Sequence, residues 1–561
     1  MDDPVTSLIK FITWLCIRLG IVLGDGVNVL FVGLLKFVFG PRGPRQDGGT
    51  KQIAKAEQDE TRREAGCRRV VLEFANAFGY ITRDLMSPEE LKDKIYKDGI
   101  SPEELGEELH RRMDKVPGIT LGVRHFANIS FEIKLPFSQR SRHVYMIGRS
   151  GSGKTNLIRG MMLQDIYYGR GVGVLAPEQE LLTEEILPYI PEDRIDDVVY
   201  VNPADSSHPI AFNPLHLDEG EDIGDKVDDF VTIFKRAVGD TGFRMDQILS
   251  ETLYALIRRK GSTLDDIERF LSRANPKFRN EVLKTADERS RTFFEDTYPT
   301  MDKNAANPVI SRISAFTRRE TVRNILCQPG QSFNFRKAMD EGKIVLFNLA
   351  DGVLGEQASQ LLGQIIVSKM QLAAMSRVDT PAAHRRPFYL YLDEFQTFTG
   401  VAETSYEKLL SRARKYNLGL VIAHQQTGQI SQKLLREIFG NVSTFISFSV
   451  SSEDAGKLSQ EYAYDVGASV EYVEPGEFIR LRTGQAFVKI GRTVFPLETY
   501  LLPTPPNPER VDEIIARSRR NYGQGGDRGT GWDVKVKRPP TIQLPPPKKD
   551  NGDDIDPQRV F

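Results

Sequence analysis

The chain has 561 residues, 40% of them hydrophobic and 27% charged, an ordinary balance for a soluble, core-forming protein of two or more domains. Its net charge of −2 excludes a globally basic surface, so any DNA contact must rest on a local basic surface such as a pore. The three cysteines, Cys16, Cys67 and Cys327, lack metal-ligand spacing, and a reducing compartment is the simplest reading.

Pro4–Phe39 is strongly apolar but is interrupted by Lys10, Arg18, Asp25 and Lys36. It opens on Asp2 and Asp3, which is the wrong charge for a cleavable signal peptide. The four charges are 8, 7 and 11 residues apart, each step close to a whole number of helical turns, so on a helix they share one face. That pattern fits a membrane helix whose polar stripe meets partner helices, or an interfacial helix lying on the bilayer. A short hairpin broken at Gly24-Asp25-Gly26, or an amphipathic helix docked on protein, fits it too. Arg42 and Arg45 follow directly. With a membrane reading, the positive-inside bias puts the large C-terminal part on the cytoplasmic face.

Residues 40–66 read as a linker. Ser87-Pro88-Glu89-Glu90 and Ser101-Pro102-Glu103-Glu104 each carry the cap, proline and first-turn acids of a helix start. Thr120–Pro136 reads as β structure leading into a short apolar strand, His143–Ile147.

Next comes Gly148-Arg149-Ser150-Gly151-Ser152-Gly153-Lys154-Thr155, which fits the phosphate-loop pattern G-x-x-x-x-G-K-[S/T] at every fixed position. Its glycines allow a tight turn that aims N–H groups at phosphate oxygens. The following helix, expected over Asn156–Tyr168, adds its positive end. Lys154 suits the β- and γ-phosphates, and the Thr155 hydroxyl suits Mg²⁺. A Gly/Ser turn before a helix shares part of this pattern, but the strand–loop–helix context singles out nucleotide binding.

Short β-type runs follow at Gly173–Leu175, Val198–Asn202, Ile344–Leu349, Phe388–Leu392, Leu418–Ala423 and Phe445–Val450, with helical patterns between most of them. This alternation predicts a mostly parallel sheet covered on both faces. Residues 216–335 break it. Val227, Phe230, Val231 and Phe234, then Ile248, Leu249, Leu253, Leu256 and Ile257, recur at helix spacing. Thr263 and Asp266 resemble a capping box. The stretch reads as an all-helical insertion.

Phe388–Leu392 ends in Asp393-Glu394. Acids at a buried strand end behind a phosphate loop read as a water-mediated Mg²⁺ ligand, Asp393, and a group that polarises the attacking water, Glu394. An ordinary strand end capped by acids would show the same pair. Leu418–Ala423 runs into His424-Gln425-Gln426, and Gln425 is placed to contact a γ-phosphate. Ser411-Arg-Ala-Arg-Lys415 packs three positive charges into five residues, which by composition alone is a solvated helix face. Phe478–Arg482 and Ala486–Ile490 alternate around Thr-Gly-Gln and predict a hairpin. From about Leu502 the chain turns Pro-, Gly- and charge-rich, with a helix expected near Glu509–Arg519 and disorder elsewhere.

Together these residues resemble the FtsK–HerA superfamily of ring-forming, DNA-pumping ATPases, and within it the TraG/TraD-like coupling proteins of conjugation and type IV secretion. The resemblance spans about Leu121 to Leu501. It rests on R-H-V-Y-M-I-G-R-S-G-S-G-K-T at 142–155, I-P-E-D-R-I-D-D-V-V-Y-V-N-P-A-D at 190–205, I-A-F-N-P-L at 210–215, F-R-M-D-Q-I-L at 243–249, V-R-N-I-L at 322–326, L-D-E-F-Q-T-F at 392–398, A-R-K-Y-N-L-G-L-V-I-A-H-Q at 413–425 and G-N-V-S-T-F-I-S-F at 440–448. It implies a RecA-like P-loop NTPase domain binding ATP and Mg²⁺, assembled as a homohexamer with nucleotide at subunit interfaces and DNA in the channel. It also implies that Arg414 acts in trans as an arginine finger, that Gln425 is a γ-phosphate sensor, and that Arg244 lies in a motif near the interface. Where many relatives carry D-P-H-G-D, this chain has Ala176-Pro-Glu-Gln-Glu180, and its anchor is shorter and more charged than the usual pair of spans.

The expected layout is a membrane-associated segment at 1–40, a linker and small helical region at 41–118, the RecA-like domain at 119–215 and 336–501, an inserted all-α domain at 216–335, and a mostly disordered tail at 502–561. The expected function is a membrane-tethered hexameric ATPase that feeds DNA, or a protein–DNA complex brought by a relaxase, into a type IV secretion channel. A soluble HerA-like double-stranded DNA translocase and a nucleotide-switched scaffold are the alternatives.

Overall fold

The computed structural model describes residues 115–523 apart from 127–128, 218–221, 239–241, 275, 331–332, 400–402, 467–468 and 492, together with Glu90, Asp93, Lys94, Glu108, Arg111 and Arg112. The expectations for the segment at 1–40, the linker, most of the helical region before residue 115 and the tail at 524–561 lie outside the described residues. Among the described residues, no helix is long and apolar enough to cross a membrane.

The strands in chain order are β1 (Gly118–Phe126), β2 (Ile129–Pro136), β3 (Val144–Ile147), β4 (Gly171–Ala176), β5 (Val198–Val201), β6 (Ile344–Asn348), β7 (Phe388–Leu392), β8 (Leu418–His424), β9 (Thr444–Ser447), β10 (Ala463–Val466), β11 (Ser469–Tyr472), β12 (Gln485–Ile490) and β13 (Thr493–Glu498). The chain divides into two compact units. The first takes the chain up to Met161 and Gly419–Leu502, and the second takes Met162–Leu418 and the chain from Pro503 onward.

In the first unit the strand order is β2-β1-β13-β12-β9-β3-β8. The outer part is antiparallel, and β9, β3 and β8 run parallel. All residues of β3, β8 and β9 are buried, as parallel strands covered on both faces must be, and this is why they read as unbroken apolar runs. β12 and β13 instead alternate.

One expectation fails here. Phe478–Arg482 does not pair with Ala486–Ile490; Pro475–Arg480 is a helix, with Pro475 in its first turn and Glu477 beside it. Phe478 is fully buried against Tyr462 and Phe487, so burying one aromatic from a helical turn outweighs the weak alternation around it. The hairpin lies one step further on, where β12 pairs with β13. A separate ribbon, β10 with β11, was not anticipated.

In the second unit β7-β4-β6-β5 form a parallel order, and their residues are buried. Between β5 and β6 every described element is helical. Ile223–Val238 and Phe243–Arg258 are the longest of these helices. Asp266 accepts the Thr263 N–H at 3.0 Å, one half of the expected capping box. The helix Glu356–Met375 packs its apolar face inward. The helix Val511–Tyr522 seals the edge strand: the Tyr200 N–H of β5 donates to the Ser518 hydroxyl at 2.8 Å, which removes an unpaired edge donor.

Candidate nucleotide site

In the first unit, β3 delivers the chain into the loop Gly148–Thr155, and a helix starts at Lys154 and runs to Tyr167. The loop is braced from three sides. Gly148 N–H donates to the His424 carbonyl at 3.3 Å, and Arg149 N–H donates to the Ser449 carbonyl at 2.8 Å. The Gly484 N–H donates to the Ser152 carbonyl at 2.9 Å, and the Thr483 hydroxyl reaches the Gly151 carbonyl at 3.3 Å. The last two bonds tie the Gly151 and Ser152 carbonyls to residues 483 and 484, which keeps these two acceptors from an anion held by the loop. Gly153 has φ +110°, and a Cβ there would meet the Gly484 backbone at 3.1 Å, so this closure is open only to glycine.

Lys154 is 4% exposed. Its ammonium donates to the Gly148 carbonyl at 2.6 Å and the Arg149 carbonyl at 3.2 Å. These two oxygens hold the charge at the loop, where a phosphate would be met. The Thr155 hydroxyl carrier sits exposed one residue on.

β8 brings His424 and Gln425 beside the same loop, through the bond from Gly148. The His424 ring is fully buried, with Nε2 2.6 Å from the Tyr145 hydroxyl. Burial, with a smaller push from the Lys154 charge against the pull of Asp454, drives its imidazole down to about 3, so it stays neutral and can accept the Tyr145 hydrogen. Gln425 is half-buried. Its backbone N–H is held by the Gln429 amide oxygen at 3.1 Å, and that oxygen also takes the Gln426 N–H.

In the second unit, β7 ends at Leu392 and Asp393-Glu394 follow. Asp393 is 6% exposed, and its carboxylate accepts the Glu394 N–H at 3.0 Å. Glu394 has φ +48°, ψ +46°, a left-handed backbone that non-glycine residues adopt only under local constraint. Its carboxylate accepts from the Gln396 amide. The turn Phe395–Phe398 then pins the segment, with both phenyl rings fully buried. Two residues before Asp393, the Tyr391 hydroxyl donates to buried Asp165 at 2.6 Å.

Arg414 lies elsewhere in this unit, exposed on the turn Ala413–Tyr416. The Phe388 N–H at the start of β7 donates to the Asn417 carbonyl at 3.1 Å, so this turn stands at the opposite end of β7 from Asp393. That is five residues, or about 17 Å of strand, longer than an arginine side chain. Arg244 is exposed at the start of the helix Phe243–Arg258, beside Phe243, which is 82% exposed. In the departure from the family pattern, Ala176 ends β4 and Glu178 immediately precedes the short helix Gln179–Thr183.

Sequence reasoning missed the Thr483–Gly484 brace. The signal was Gly484 next to a strand, but nothing local couples residue 484 to residue 152.

No protein-family model matches the sequence, and no curated protein matches it. Solved structures do. The plasmid coupling protein TrwB in complex with ADP and Mg²⁺ is similar over 72% of this chain and 94% of that one, at 15% identity and a TM-score of 0.52. An unbound form of the bacterial conjugative coupling protein TrwBdeltaN70 matches 71% of this chain and 93% of its own, at 15% identity and 0.50. VirB4 of Thermoanaerobacter pseudethanolicus matches 69% and 97%, at 13% identity and 0.50. At these identities the likeness establishes the fold: the described domain has the P-loop NTPase architecture of these proteins.

Proposed function

We propose that the chain is an ATPase of the conjugative coupling kind, a motor that turns ATP hydrolysis into transfer of DNA, or of a protein–DNA complex, into a secretion channel. The observation that carries it is the braced loop Gly148–Thr155 at the end of a buried parallel strand, in a chain with the fold of a coupling protein solved in complex with ADP and Mg²⁺. Lys154 and the loop N–H groups bind the phosphates. Mg²⁺ supplies charge neutralisation on the phosphate oxygens. Thr155, in the first turn of the helix after the loop, and Asp393, directly after β7, would offer the hard oxygen donors it prefers. Glu394 orients water, and Gln425 reports the γ-phosphate.

Arg414 completes a neighbour's site. The length of β7 between its turn and Asp393 supports action in trans, and so supports a ring of identical subunits. The segment at 1–40 tethers this ring to the cytoplasmic face of a membrane, beside its relaxase and channel partners.

The test is ATP turnover by the chain with and without single- and double-stranded DNA, compared with Glu394→Gln. DNA-stimulated turnover that the variant loses supports the motor, and preference for single strands supports secretion. Preference for duplex moves the reading to a double-strand translocase. ATP binding without turnover in an assembled ring overturns the motor in favour of a nucleotide-switched scaffold.

A further inference from the structure

We infer that Arg377 is a positioning residue for Arg414, a buried guanidinium that fixes the backbone from which the finger is presented. This rests on the reading that Arg414 serves a neighbouring subunit's nucleotide.

Arg377 is 0% exposed, in the turn Ser376–Asp379 that follows the helix Glu356–Met375. A buried guanidinium must have its donors met, and here the three partners point in three directions. Nε donates to the Asp340 carboxylate at 2.9 Å, one terminal nitrogen to the Tyr416 carbonyl at 2.9 Å, and the other to the Arg386 carbonyl at 2.8 Å. The Arg377 carbonyl in turn accepts Arg385 Nε at 3.0 Å, and Arg385 also donates to the Lys415 carbonyl. Asn417 closes the bracket. Its side-chain amide donates to the Arg385 carbonyl at 2.7 Å, its N–H to the Arg414 carbonyl at 3.1 Å, and its own backbone is left-handed at φ +59°.

The carbonyls of residues 415 and 416 are therefore held by arginines from elsewhere in the unit and that of 414 by Asn417 within its own turn, while the Arg414 side chain is exposed. A planar fork of fixed donors does this in a way a lysine cannot. An arginine that must meet a phosphate on another molecule gains little from charge alone; it needs its anchor immobile, since a displacement of about 1 Å at a reacting centre can cost about 10²-fold. Asp340 extends the bracket, because it also accepts from Arg336.

The experiment uses full-length chains and ATP turnover under saturating DNA. Arg377→Lys is expected to lower kcat about 10-fold and Arg377→Ala about 100-fold, with KM for ATP unchanged. Asp340→Asn, which keeps the shape of the bracket, gives a smaller fall in the same direction. The decisive measurement mixes subunits. Arg377→Lys and Glu394→Gln chains, each poor alone, are expected to recover turnover well above the sum of the two when combined in one ring, because the second supplies intact fingers to the intact sites of the first. Arg414→Ala mixed with Glu394→Gln is the control. If the control recovers and the Arg377→Lys mixture does not, Arg377 is a structural residue and the inference is wrong. If Arg377→Lys turns over ATP like the parent, it is wrong as well. If Arg414→Ala itself keeps full turnover, the finger reading beneath it fails.

Discussion

Replacing Gly363 with alanine joins packing to chemistry within one unit. Gly363 lies in the helix Glu356–Met375, under the fully buried ring of Phe398. A Cβ at 363 would stand 2.2 Å from Cδ1, 2.8 Å from Cε1 and 2.9 Å from Cγ of that ring. Ordinary carbon contacts are about 3.5–4.0 Å, so the ring must move by more than about 1 Å in a site without spare room. Overpacking of this kind costs about 1–3 kcal/mol, and alanine returns about 1 kcal/mol of helix propensity. The net expectation is a loss of up to about 2 kcal/mol, or a fall in Tm of about 2–4 °C per kcal/mol for a unit of this size.

The ring ends the turn that begins directly after Glu394, so ATP turnover should fall together with stability. Thermal unfolding and steady-state kinetics on Gly363→Ala, Phe398→Leu and the double variant measure both. The smaller ring-site residue should relieve the alanine, giving a favourable coupling of about 0.5–3 kcal/mol. A Gly363→Ala protein that gains the full helix-propensity increment, with turnover intact, would refute the argument.

Gly484→Ala retains space at its Cβ, 3.6 Å from the Thr499 hydroxyl, but must hold φ +83°; the strain of about 1–2 kcal/mol falls on the brace of the phosphate loop, and titration should show ATP affinity down about 10-fold. Lys154→Ala removes the ammonium from the two loop carbonyls and is expected to abolish turnover while far-ultraviolet circular dichroism stays unchanged. The buried His424 stays neutral when folded, with its value pushed down to about 3, whereas the unfolded chain takes up a proton below about 6.5. Its contribution is therefore complete above pH 6.5 and is lost as pH falls toward 3, about 2 kcal/mol by pH 5. Urea unfolding between pH 7 and 5 should be steeper in pH for the parent than for His424→Gln, and equal slopes would defeat that assignment.

Much of this architecture could be read along the chain because parallel strands buried on both faces leave unbroken apolar runs, as at Val144–Ile147, Phe388–Leu392 and Leu418–His424. The phosphate loop was legible for a different reason: its chemistry fixes residue types at short spacing. What escaped notice is long-range or conditional. Phe478 sits in an alternating stretch, but its helix is decided by a proline and by partners at Tyr462 and Phe487. The ribbon β10–β11 left only a faint alternation in the sequence. Arg377 looks in sequence like any polar residue at a helix end, and only Asp340, Arg386 and Tyr416 together make it a buried clamp.

The backbone of Glu394 has a further consequence for anyone who selects this protein for robustness. At φ +48° a glutamate is among the worse tenants of its position, and glycine would relieve about 1–2 kcal/mol of local strain. A heat-challenge library that scores survival alone should converge on glycine or asparagine at 394, and, given the role proposed for Glu394, its winners would be hardier folds with little ATP turnover. Screens that couple survival to ATP consumption would keep the glutamate, and the gap between the two outcomes would measure how much stability the chain forgoes at that residue.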